Sequence, residues 1–273
     1  GQLPDSWDAF AKQALASAQA AATSKATRQS SGDFIAELSE QLPELIGGSA
    51  DLSGSNSTIW AAAAPVTGAG SGGNYIYYGV REFAMTAIAS GLALHGGLIP
   101  FTGTFLMFME YARNAVRMSS LMGVGAIHVY THDSIGQGED GPTHQPIEQL
   151  TNLRTTPNLC VWRPCDADEV RAAWSDAISR RRAPTALVLS RQSVAHQARS
   201  DEQVALIQRG GYVLSDHGDS PEIILLATGS EVDLARTAAE ALAAEGTSVR
   251  VVSMPCAEVF AAQDEEYQEQ VLP

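Results

Sequence analysis

The fold is decided by residues 75–101, YIYYGVREFAMTAIASGLALHGGLIPF. Tyr75 to Tyr78 is a short β-favouring run that Gly79 interrupts, and Glu82 to Leu94 follows with apolar residues at helical spacing. Gly96 and Gly97 then turn the chain into a second apolar run, Leu98 to Phe101. Strand, helix and strand in this order imply parallel strands joined by a crossover helix.

The same alternation continues outward. Further apolar runs lie at Ala126 to Tyr130, Leu159 to Trp162, Ala186 to Leu189, Ile223 to Ala227 and Val249 to Val252. Between them Phe105 to Met122, Ala167 to Ser179 and Glu231 to Ala244 have the length and pattern of amphipathic helices. The pattern predicts an α/β fold, a mainly parallel sheet covered by helices on both faces in a three-layer sandwich. Upstream, the Ala-rich segment Asp5 to Ala22 predicts an approach helix, and Phe34, Ile35, Leu38 and Leu42 mark a second helix. Gly54 to Asn74 and Thr131 to Pro146 read as long loops, which in compact domains are commonly functional or disordered. A polar interval, Ser193 to Arg209, separates the first five strands from the last two, which places a domain boundary near residue 199. The second unit has room for two strands and breaks off at Pro273, the mark of a truncated domain.

Composition narrows the function classes. Hydrophobic residues make up 45% and charged residues 18%, the profile of a soluble globular protein. The net charge of −14 argues against nucleic-acid binding, which draws on clustered Lys and Arg. From Ser220 onward ten acidic side chains face two basic ones, so an anionic ligand must find its cations earlier in the chain. Cys160, Cys165 and Cys256 have neither disulfide-framework nor zinc spacing, which suits a reducing cytoplasm. There is no basic patch before an apolar run at the N-terminus and no apolar stretch of membrane length, so neither a secretory leader nor a membrane partner is expected.

Several segments could carry chemistry. Glu82 follows a predicted strand, where ligands of open α/β sheets collect, although a glutamate at a helix start is also explained by the helix dipole. Phe105, Phe108 and Tyr111 recur every three residues, the spacing of one helix side, and serve either as core or as walls for a planar ligand. Residues 131–146, THDSIGQGEDGPTHQP, gather His132, Asp133, Glu139, Asp140 and His144 among glycines, which points to a functional loop; their spacing matches no standard metal-ligand pattern. Arg28 and Arg191 are candidates for an anion, since the guanidinium fork matches phosphate. Walker, G-x-G-x-x-G and G-x-S-x-G motifs are absent.

In order, GGSADLSGSN, YYGVREFAM, FTGTFLMFMEYARNAVRM, THDSIGQGEDGPTHQP, WRPCDADE and ALVLSRQ resemble the pyrimidine-binding domain of transketolases. The resemblance implies a linker helix over 1–26, a pyrimidine-binding domain over 27–198 with the thiamine diphosphate-binding fold, and the beginning of a C-terminal domain over 199–273. It further implies thiamine diphosphate as cofactor and transfer of a two-carbon ketol unit from a ketose phosphate to an aldose phosphate. Glu82 would hydrogen-bond a ring nitrogen of the cofactor's aminopyrimidine, Phe105, Phe108 and Tyr111 would enclose that ring, and Asp51 would lie near the thiazolium. Arg28, Ser55, His132 and Arg191 would hold the sugar phosphate, with Asp140 and His144 facing its hydroxyls and reacting carbons. Two positions depart from the family: Phe83 stands where many relatives have histidine, and Gly54 where they have proline. No GDG motif with a downstream asparagine occurs, so the diphosphate and its Mg2+ or Ca2+ are expected to be held elsewhere, by the second subunit of a homodimer or by a partner chain. Alone, the chain is expected to bind cofactor weakly or not at all and to be inactive. Deoxyxylulose-phosphate synthase, dihydroxyacetone synthase and the β subunit of an oxo-acid dehydrogenase share this domain, and a non-catalytic assembly module is an alternative of another class.

Overall fold

A computed structural model describes residues 2–68 and 72–273; residues 69–71 of the expected Gly54 to Asn74 loop lie outside the described residues. In chain order the first elements are α1 (Trp7–Ala21), β1 (Lys25–Ala26), α2 (Thr27–Gln41), β2 (Leu45–Ser49), β3 (Tyr75–Tyr77), α3 (Glu82–His95), β4 (Ile99–Phe105), α4 (Met109–Met122) and β5 (Ile127–Thr131). They are followed by α5 (Gln149–Arg154), β6 (Cys160–Trp162), α6 (Ala167–Ser179), β7 (Thr185–Leu189), β8 (Ser193–Val194) and α7 (Asp201–Leu206). The last are β9 (Tyr212–His217), β10 (Ile223–Ala227), α8 (Glu231–Ala244), β11 (Val249–Ser253), α9 (Ala257–Ala261) and α10 (Glu265–Val271).

The main sheet has six strands in the order β3-β2-β4-β5-β7-β6, every neighbouring pair parallel. Its two faces follow from strand alternation. Val129, Leu187 and Leu189 join Phe34, Leu38 and Trp174 beneath α1, α2 and α6, whereas Tyr130, Ala186 and Val188 join Met109 and Val116 of α4. Burying each of the larger aliphatic side chains contributes about 1.5–3 kcal/mol, and two buried indoles are satisfied as well: Trp174 Nε1 donates to Ser31 Oγ at 2.8 Å and Trp162 Nε1 to Asp176 at 2.9 Å.

Three expectations need correction. The first unit has six sheet strands rather than five, because β2, LIGGS, hides behind two glycines. Those glycines are required by neighbours: a Cβ on Gly47 would lie 2.2 Å from the Phe101 ring, and one on Gly48 2.3 Å from Tyr78. The aromatic stripe is not helical. β4 runs on through Phe105, a single 3₁₀ turn covers Leu106–Phe108, and only Tyr111 belongs to α4. The second unit holds three strands rather than two, ordered β10-β11-β9, with β9 antiparallel to β11. Its extra strand, YVLSDH, directly follows the polar interval and alternates buried with half-exposed residues.

Two small features set up the functional edge. β1 pairs with β8, Ala26 opposite Ser193, which brings the start of α2 beside the end of β7. Thr27 and Ser190 lock that junction, Ser190 N donating to Thr27 Oγ1 at 2.7 Å and Thr27 N to Ser190 Oγ at 3.1 Å. No described helix is long and apolar enough to cross a membrane.

Candidate active site

Because the six strands are parallel, their carboxyl ends share one edge, the place where open α/β sheets bind ligands. Asp51 lies just beyond β2, Glu82 opens α3 after β3, Phe105 ends β4, His132 follows β5 and Arg191 follows β7. Arg28, from the first turn of α2, reaches the same edge through the Thr27–Ser190 junction.

The polar cluster is built around Arg28 and Arg191. Arg28 Nη1 donates to the Ser55 carbonyl at 2.6 Å, and its Nε to the Arg191 carbonyl at 3.4 Å; Ser55 thus contributes its backbone to this contact. Burial, and then the like charge of Arg191, lower the Arg28 pKa. Arg191 Nη2 lies 3.8 Å from the exposed Glu139 carboxylate. Two neighbouring guanidinium groups held this way favour an anion between them.

His132 has a φ of 59°, left-handed for a non-glycine residue, and its ring lies over Phe105 with centroids 3.8 Å apart. Asp51 has φ 64°. Such conformations cost on the order of 1–3 kcal/mol and collect at functional sites. The aromatic wall continues from Phe105 to Phe108, stacked at 5.6 Å, and on to Tyr111 at 5.9 Å. His144 closes edge-on to Phe108 at 5.0 Å and contacts Thr143 Oγ1 through Nδ1 at 2.8 Å. Asp140 is exposed and accepts from Gln137 Nε2. Contacts therefore join Arg28, Ser55 and Arg191 in one group and His132, Phe105, Phe108, Tyr111 and His144 in another, and the two arginine charges act on His132 between them. Asp51 and Glu82 share only the sheet edge with them. Glu82 is 6% exposed, and no ion pair of the described residues includes it. Glu82 is thus a buried carboxyl without an ion-pair partner at the same sheet edge as the aromatic wall.

Residues that the sequence did not single out orient His132. Thr131 Oγ1 donates its only proton to Asn56 Oδ1 at 2.7 Å, and Asn56 Nδ2 donates to Ser49 Oγ at 3.3 Å. The 2.9 Å contact between Thr131 Oγ1 and His132 Nδ1 must then use a proton on Nδ1. Nε2 is left as an acceptor. Burial first, then Arg28 and Arg191, push the His132 pKa down from 6.5 to about 4, so the ring is neutral at pH 7. Its contribution to stability is complete above about pH 6.5 and is lost as pH falls toward 4, since the unfolded imidazole binds the proton more tightly. Long-range ¹H–¹⁵N NMR should show His132 as the Nδ1–H tautomer with a midpoint near 4, moved upward by Arg28→Ala or Arg191→Ala. A midpoint at the ordinary value in the unmodified chain would contradict this arrangement.

Asp133 is turned away from the candidate chemistry. Its Oδ2 accepts from Arg163 Nε at 2.8 Å, and Arg163 also bonds the Thr228 carbonyl at 2.8 Å and the Glu231 carboxylate. The histidine loop is thereby fastened to the second unit. Asp166, Asp168 and His196 gather within metal-ligand range, but Arg199 Nη1 already supplies a cation 2.6 Å from Asp166.

Residues 23–197 match the family model described as the transketolase pyrimidine-binding domain, and residues 210–273 match the transketolase-like C-terminal domain. The chain belongs to the transketolase family. Over all 273 residues it is 56% identical to transketolase 1 of Vibrio cholerae and 55% identical to transketolase 1 of Escherichia coli, covering 41% of each. It therefore spans about two fifths of the length of these curated relatives. Among solved structures, transketolase from Leishmania mexicana superposes over the whole chain with a TM-score of 0.90 at 44% identity, this chain covering 39% of that one. A split-gene transketolase, described as an inactive β4 tetramer, matches 85% of the chain with a TM-score of 0.68 at 29% identity, 71% of that protein being covered.

Proposed function

We propose that this chain supplies the pyrimidine-facing and phosphate-binding part of a thiamine diphosphate-dependent transketolase, which moves a two-carbon ketol unit from a ketose phosphate to an aldose phosphate. The observation that carries this reading is the paired Arg28 and Arg191 beside a neutral His132 stacked on Phe105. It combines an anion clamp, a hydrogen-bond acceptor and an aromatic wall at one sheet edge.

When bound, the cofactor would supply the electron sink for cleaving a carbon–carbon bond. Phe105, Phe108 and Tyr111 would hold its aminopyrimidine ring, Glu82 would hydrogen-bond a ring nitrogen, and Asp51 would lie toward the thiazolium. Arg28 and Arg191 would bind the sugar phosphate, with the Ser55 segment fixing the Arg28 fork. His132 Nε2 would accept from a substrate hydroxyl, and Asp140 and His144 would orient the remaining hydroxyls. Residues 27–198 form the pyrimidine-binding domain in this reading, with 1–26 leading in and 199–273 belonging to the C-terminal domain.

A further polypeptide region would hold the diphosphate through Mg2+ or Ca2+, either in a second subunit or in a partner chain. The exposed side chains of α3 and α4 support a covering partner: Phe83 is 53% and Leu121 69% exposed. A cytoplasmic setting suits the three buried free thiols.

The test combines the chain with a separately produced diphosphate-binding domain, thiamine diphosphate and magnesium. Xylulose 5-phosphate with ribose 5-phosphate should then yield the ketol-extended sugar phosphate, and pyruvate should not react. Absence of transfer with both polypeptides folded would instead favour an assembly module.

A further inference from the structure

Cys160 opens β6 in the first unit, and Cys256 stands just before α9 in the second. Both are free and buried, and their sulfurs lie 3.4 Å apart, 96 residues distant in sequence. A disulfide requires about 2.05 Å, so the sulfurs must approach by roughly 1.4 Å. The third cysteine, Cys165, is committed elsewhere, its Sγ 3.2 Å from Arg199 Nη2.

A cavity of about 270 Å³ opens against Cys160 and is bordered by Arg180, Glu258 and Gln263. Cys160 Sγ lies 3.7 Å from Asp176 Oδ2, and Arg180 pairs with that carboxylate at 2.9–3.1 Å. Cys256 donates its S–H to Glu258 Oε2 at 3.4 Å, and burial raises its pKa well above the usual thiol range. Of the two sulfurs, Cys160 is therefore the one that meets a molecule in the cavity, and Cys256 waits behind it as a thiol. Access sets reactive cysteines apart from inert buried ones, and the cavity gives it to Cys160.

We infer that Cys160 and Cys256 are a modification site for small hydroperoxides, which oxidise the pair to a disulfide joining the two units. Cys160 sulfur attacks the peroxide O–O bond, forming the sulfenic acid and releasing water or an alcohol. Cys256 sulfur then displaces hydroxide from Cys160, and its proton leaves with that hydroxide as water. Two thiols give up two electrons, the peroxide accepts them, and a thiol reductant reverses the change. The bond forms beside the junction in which Arg163 N donates to the Pro255 carbonyl at 2.7 Å, so it secures a contact already present.

The test treats the native chain with hydrogen peroxide, blocks remaining thiols and maps peptides by mass spectrometry without reduction. The expected result is a Cys160–Cys256 linked peptide, loss of two hydrogens from the intact mass, recovery with dithiothreitol and a higher unfolding midpoint for the oxidised form. Cys256→Ser should lose the link and accumulate Cys160 as sulfinic acid. Should that variant not fold, the map of the unmodified chain decides alone. A link through Cys165, a link formed only in denaturant, or no change at Cys160 in the folded chain overturns the inference.

Discussion

Replacing Glu82 with alanine is expected to reduce ketol transfer in the reconstituted enzyme by roughly 10²- to 10⁴-fold, the range in which a positioned proton-transfer group acts. That loss corresponds to about 2.7–5.5 kcal/mol of activation free energy. It should fall on kcat more than on the KM for sugar phosphate, because Arg28 and Arg191 remain in place. Stability should change little. Glu82 is the first residue of α3, and its favourable interaction with the helix dipole is worth only about 0.3–1 kcal/mol. Activity and thermal unfolding measured together therefore separate a chemical role from a structural one. A folded Glu82→Ala enzyme retaining more than a tenth of the rate would sink the assignment.

The second large effect concerns folding. Arg199 has a side-chain exposure of 0% and lies among the carboxylates of Asp166 at 2.6 Å, Asp168 at 3.4 Å and Glu169 at 3.5 Å. Its Nε donates to Tyr212 Oη at 2.6 Å, and Tyr212 in turn donates to Glu169 at 2.8 Å. Ser253 of β11 donates to the same Glu169 oxygen at 2.6 Å. One guanidinium thus binds the start of α6 to the second sheet. Arg199→Leu would strand three buried carboxylates, and the expected destabilisation is about 3–5 kcal/mol by denaturant unfolding. Burial first, then Asp166, already raise Asp168 to about 7 despite Arg199. A carboxyl raised in the folded state stabilises most when protonated and loses that contribution as pH rises through its folded value. The variant's deficit should accordingly shrink between pH 7.5 and about pH 5.5. A loss below about 1 kcal/mol, or one independent of pH, would show that the cluster does not join the units as described.

Much of this architecture was legible in the sequence, for identifiable reasons. α6 and α8 span the expected residues because their apolar periodicity is uninterrupted, and β10 because its apolar run is continuous. β2 was hidden because Gly47 and Gly48 serve the rings of Phe101 and Tyr78, a tertiary demand that local pattern does not record. Phe105 carries helical spacing relative to Phe108 and Tyr111, yet the backbone remains extended through it to complete the ladder with Thr131. The candidate residues were recognised as an ordered set of motifs. Their supports were not, since Asn56, Thr131 and Arg163 act through partners far along the chain, and ordinary Asn, Thr and Arg carry no local sign of that. Arg199 falls inside the polar interval that marks the expected domain boundary, and it is buried there.

The single carboxyl edge has a consequence for how such a site can diversify. Most candidate segments hang from strands of their own, while the hydrophobic layers beneath them rest on other residues. In the proposed site, substrate preference would therefore be retuned one segment at a time, by exchanging a few residues above a fixed frame. The boundary of that freedom is His132, where the segments after β2 and β5 are wired together through Asn56 and Thr131, so a change to one must be answered in the other.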